Sequence, residues 1–98
     1  MRYESGPAVR DRVLRTCGLH RDGGVSYAYV DHKGTRVPEY AATHVRVVAY
    51  RLSFSKALAH ELSETIKAMP GHVSSTVIDE HPTLRPQVIA VFDRTWQA

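Results

Sequence analysis

The chain has 98 residues, 43% of them apolar and 23% charged, with a formal net charge of +3. That is the length of one domain and the usage of an ordinary globular protein, which excludes a disordered, collagen-like or low-complexity chain. Cys17 is the single cysteine, so an internal disulfide framework and a cysteine-only zinc site are excluded, and no apolar run is long enough to span a membrane. The opening Met1-Arg2-Tyr3-Glu4-Ser5-Gly6-Pro7 lacks the apolar stretch of a signal peptide, and a soluble cytoplasmic protein is expected.

Residues 7–17 predict a short basic amphipathic helix. Ser5 suits the N-cap and Pro7 the first turn, while Val9, Val13, Leu14 and Cys17 recur at helical spacing and Gly18 supplies a stop. Arg10, Arg12 and Arg15 fall mostly away from that stripe. After the turn signal Asp22-Gly23-Gly24, residues 25–31 alternate Val25, Tyr27 and Tyr29 against Ser26, Ala28 and Val30, which predicts a strand. His32-Lys33-Gly34 then closes a β-hairpin whose returning strand starts at Thr35-Arg36-Val37 and ends at Pro38.

Residues 39–52 admit two readings. As a helix they place Ala41, Val45, Val48 and Leu52 on one stripe; as a strand they place Val45, Val47 and Ala49 on one face. Three valines within four positions favour the strand, because branching at Cβ suits a pleated surface, so a loop through Thr43 and a strand over 44–52 are expected. Residues 53–69 predict the main helix. Phe54, Leu58, Leu62, Ile66 and Met69 share a stripe, Ser53 or Ser55 can cap it, and Pro70-Gly71 stops it.

Two strands follow, over 72–79 and 87–95, joined by a proline-punctuated loop. The last strand is apolar on both sides, with Val88, Ala90 and Phe92 on one and Ile89 and Val91 on the other. It is expected to be an interior strand, covered on both faces or lying in an interface. No internal repeat is visible. The expected fold is one small α+β domain over residues 1–98, mostly antiparallel sheet with the main helix at 53–69 and the short N-terminal helix at 7–17.

Residues 1–51 hold nine basic and five acidic residues (+4), and residues 52–98 hold four and five (−1). Arginine suits flat bidentate contacts to phosphate, so Arg10, Arg12, Arg15 and Arg21, with Arg36, are the candidate nucleic-acid contacts, against the plainer reading of a solvated surface. His60-Glu61-Leu62-Ser63-Glu64 resembles a zinc-protease helix but carries Glu64 where a second histidine belongs. Cys17-Gly18-Leu19-His20 has half the spacing of a zinc site and no second half, and Asp79-Glu80-His81 could place an imidazole as a general base. For all three the solvated or structural reading is the stronger, and no metal ligand, catalytic residue or cofactor is assigned. No phosphate-cradling glycine loop and no nucleophile elbow occurs.

Five tyrosines and Trp96 carry another signal, because Tyr and Trp combine large contact area with a polar tip. Tyr27 and Tyr29 with Arg36 on the returning strand, and Trp96 near the end, are the candidate partner-binding residues, with a half-buried core face as the alternative. A non-enzymatic interaction module is therefore expected first: a subunit, adaptor, inhibitor or other regulatory partner of a larger protein, with a homodimer as a corollary. A nucleic-acid-binding domain comes second. A small metal-dependent or His/Asp hydrolase using His60, Glu64, Asp79 and His81 comes third.

Overall fold

The computed structural model describes residues 3–19, 24–50, 55–80 and 85–95. The elements in chain order are α1 (Gly6–Thr16), β1 (Val25–Val30), a 3-10 turn (Glu39–Ala41), β2 (His44–Tyr50), α2 (Lys56–Lys67), β3 (His72–Ile78) and β4 (Gln87–Asp93). Each helix starts where its serine predicts. Ser5 Oγ accepts the Ala8 N–H at 3.2 Å and Ser55 Oγ accepts the Leu58 N–H at 3.1 Å, each satisfying a donor that the first helical turn leaves without a partner. Residues 51–54 lie outside the described residues, so the Ser53 cap and Phe54 in the stripe are not placed. No helix among the described residues is long and apolar enough to cross a membrane.

The strands form one antiparallel sheet in the order β1-β2-β4-β3. Both helices cover the same face, α1 over β1 and β2, α2 over β3 and β4. The architecture is therefore α+β, and the chain runs helix-strand-strand twice. The two halves meet where β2 pairs with β4, with Val47 opposite Ala90. An approximate twofold axis through that pair matches Val45 with Val88, Val47 with Ala90 and Ala49 with Phe92, and all six are buried against the helices. The duplication is absent from the sequence because what recurs is a burial pattern rather than residue identity. Val9 and Val13 from α1, and Ala59, Leu62 and Ile66 from α2, complete the core.

The stretch 31–43 departs from the expected hairpin. The tight turn forms: Gly34 N–H donates to Asp31 O at 3.0 Å and Asp31 N–H to Thr35 O at 2.9 Å. The return, however, amounts to a single bridge from Val30 to Arg36 and the Val37 N–H on Tyr29 O. Pro38 has no N–H to continue a ladder, so the chain leaves β1, makes the 3-10 turn and comes back as β2 on the other side. At the far end of β1, Gly24 sits at φ +74°, and a Cβ there would collide with the Tyr50 carbonyl oxygen, so the strand entry requires glycine.

Candidate interaction surface

The most deeply buried charged side chain among the described residues is Arg94, just past the end of β4 and only 5% exposed. Its guanidinium donates from Nε to Glu4 O (2.7 Å) and from one Nη to Glu39 O (2.9 Å) and Ala42 O (3.0 Å). The same group lies 4.9 Å from the Tyr29 ring centre and 5.2 Å from that of Tyr3. A rigid fork of donors suits this task, since it satisfies carbonyls of segments far apart in sequence. Nothing in the sequence sets Arg94 apart from the other arginines except its place at the end of an apolar strand.

Arg94 shares its corner with the two tyrosines singled out from the sequence. Tyr27 and Tyr29 pair with Val47 and Val45 and so face the helices, partly buried, with their rings edge-to-face at 5.7 Å. Tyr29 Oη accepts the Gly6 N–H at 2.9 Å, and the Tyr27 ring occupies the space that a side chain at Gly6 would need. Arg36 is exposed and bridges Val30, on the opposite face from both rings. The structure thus brings Tyr27 and Tyr29 together but leaves Arg36 apart from them, and Trp96 lies outside the described residues.

The basic helix is also partly engaged. Arg12 clamps Glu4 with two hydrogen bonds (2.8 and 2.9 Å), donates to Pro70 O and lies over the Phe92 ring. Arg10 stacks over Tyr27 at 5.5 Å and sits 3.5 Å from Asp11. Arg15 is exposed, and Arg21 lies outside the described residues.

Two of the histidine-bearing fragments meet in space. His60 Nε2 lies 3.0 Å from Asp79 Oδ2, although the sequence reading paired His60 with Glu64 and Asp79 with His81. Glu64 instead accepts from Lys67 Nζ at 2.9 Å, and His81 lies outside the described residues. Among the described residues no three histidine, cysteine or acidic side chains converge as a metal site would require. Burial pushes the Cys17 thiol up, which makes it a weaker nucleophile at neutral pH.

The face of the sheet turned away from the helices carries the clearest surface signal. Alternation places Val48 and Ile89 opposite each other on the two central strands, with Val91 beside them, all partly exposed. Ser26 and Thr76 continue that row outward, and Ala28, Arg46, Val91 and Ser74 form the next. Tyr50, 47% exposed, and Ile78, 43% exposed, stand at one end of this face, and His44 and Asp93 at the other. An antiparallel sheet with one wet face normally shows polar side chains there. Here the centre is aliphatic apart from Arg46, and Ser26, Ser74 and Thr76 flank it on the outer strands.

Asp93 at that margin makes a prediction. Its carboxylate accepts the Thr95 hydroxyl at 2.7 Å and the Thr95 N–H at 2.8 Å. These two bonds, the hydroxyl first, with the nearby His44 adding a smaller pull, hold it below the usual carboxylate range. A depressed folded value stabilises the protein above the unfolded value, and that stabilisation disappears as pH falls through the folded one. Asp93→Asn should therefore lose less stability than wild type as pH falls from about 4 down through that depressed value. Thermal melts at pH 7 and across that window check this; parallel curves for the two proteins would refute it.

Comparison of the chain with protein-family models, curated proteins and solved structures finds no match in any of the three.

Proposed function

We propose that the protein is a non-enzymatic interaction module that docks another protein on the open face of its sheet. One observation carries this reading: β4 is apolar on both sides, and the helices cover only one of them. Val48, Ile89 and Val91 each keep part of their surface toward water, so a partner covering them would gain the remaining share of the roughly 1.5–3 kcal/mol that full burial of such a side chain is worth. An aliphatic centre with a polar margin is the usual anatomy of a protein interface. Nucleic acid is less well supported. Arg46 lies among the aliphatic side chains of this face, and Arg12 is committed to Glu4 and Pro70.

Incorporating a photo-crosslinking residue at Ile89, and separately at Glu64 on the outer side of α2, tests the reading in cells. Discrete cross-linked protein species are expected at position 89 and not at 64, and Val48→Glu should abolish them while shifting stability by no more than about 1 kcal/mol. Equal labelling at the two positions, or labelling indifferent to Val48→Glu, would sink the proposal.

A further inference from the structure

We infer that the outer edge of β3 is a self-association site, at which a second copy of this chain adds its own β3 antiparallel across a twofold axis. The inference is independent of the open-face proposal. The two halves of the molecule treat their edge strands differently. On β1 the outer edge receives the Arg36 bridge at Val30 and the Val37 N–H at Tyr29 O, and the polypeptide itself closes that end. On β3, among the described residues, β4 is the only strand neighbour.

Free strand edges are normally blunted by charge, proline or distortion. The segment His72–Ile78, sequence HVSSTVI, contains no lysine, arginine, acid or proline. A bulge lies between His72 and Ser74, and pairing is regular from Ser74 onward. Val73 (53% exposed) and Ile78 (43% exposed), both on β3, are the two exposed large aliphatic side chains among the described residues.

Three features point to a second copy rather than to a foreign strand. With the outer edge of β1 partly closed, pairing β3 with β3 about a twofold uses up the open edges and ends at a dimer, where a head-to-tail contact would propagate. The strand is also self-complementary. Hydrogen-bonded and non-hydrogen-bonded pairs alternate along an antiparallel ladder, so the twofold requires some residue to face its own copy. With Ser75 at the axis, Val73 faces Val77 and Ser74 faces Thr76. With Ser74 at the axis, Ile78 would face Pro70, which has no N–H; with Thr76 there, Val73 would face Asp79. Of these three central registers, only that of Ser75 sets apolar against apolar. Finally, Ser63 on α2 bonds Ser75 at 2.7 Å and α2 packs on both β3 and β4, so α2 lies just to one side of the axis. The two copies of α2 then run side by side and add helix surface to the strand edge.

Sedimentation velocity across a dilution series from micromolar to millimolar tests this. The wild-type protein should show a concentration-dependent dimer, and Val73→Lys, at an exposed position the fold tolerates, should weaken it by at least about tenfold. In a Cys17→Ala background, oxidation should link Ser75→Cys faster than Ser74→Cys or Thr76→Cys, because only a residue facing its own copy brings two Cα atoms to disulfide distance. A wild-type monomer throughout the series, or a dimer that Val73→Lys leaves intact, overturns the edge pairing. Fastest linking at 74 or 76 overturns the register. A dimer built on the open face would instead respond to Ile89→Glu, which keeps the two proposals separable.

Discussion

Arg94→Met is expected to cost about 3 kcal/mol and to lower the melting temperature by roughly 15 °C. The guanidinium supplies donors to the carbonyls of Glu4, Glu39 and Ala42. The Glu39 carbonyl keeps the Ala42 N–H at 3.1 Å, but the other two lose the arginine donor, and a buried acceptor left without one costs about 1 kcal/mol or more. Stacking on Tyr29 and Tyr3 adds to that. The cost stays below that of breaking a fully buried ion pair, because Glu39, 3.9 Å from the other Nη, has a side chain 63% exposed and keeps its hydration when the arginine goes. Methionine retains most of the aliphatic stem, so the loss isolates the fork. Arg94→Lys keeps the charge but not the planar geometry and should recover less than half of the deficit. Urea denaturation of the three proteins decides it: a lysine variant within about 0.5 kcal/mol of wild type would mean that charge rather than the fork holds the corner.

Helices and strands were largely legible, because capping, periodicity and proline are local. Ser5 and Ser55 cap where serine should, and the valines at 45, 47 and 48 prefer a pleat to a helix. Legibility ends where a decision depends on what lies across the sheet. Tyr27 and Tyr29 alternate correctly, but one strand alone cannot say which of its faces meets a helix; they turned to α1, and the face bearing Arg36 turned away. His60 and Asp79 are separated by 19 residues, so sequence spacing points each to its nearest chemical neighbour instead. A buried arginine looks in sequence like an exposed one, which hid Arg94. The dual apolar character of the last strand was the one long-range feature the sequence did carry. Of the two outcomes it allowed, cover on both faces or a place in an interface, the two helices supply cover on one face.

The twofold arrangement of the core also explains where the chain is least tolerant. In the first half, the position matching Phe92 is Ala49, so the large side chain that fills the space beneath the helices has no equivalent there. Phe92→Ala is expected to cost about 4 kcal/mol, the usual range for deleting a fully buried ring. Phe92 is 0% exposed, takes the His72 ring edge-on at 6.2 Å, and supports the Arg12 guanidinium at 5.5 Å. Arg12 keeps its two bonds to Glu4 in the variant, so the loss is dominated by the cavity and not by the cation. His72 Nε2, buried without a hydrogen-bond partner among the described residues, sets the upper limit. Water entering the new cavity would satisfy that nitrogen and return about 1 kcal/mol. Phe92→Ala in a His72→Leu background should therefore cost more than in wild type, a coupling that a double-mutant cycle reads directly. Additive costs would mean that the cavity stays dry. A Phe92→Ala cost below about 1 kcal/mol would mean that the ring is not the centre of this core, because small domains hold only about 5–15 kcal/mol in all and a buried phenyl group cannot be a minor share of it.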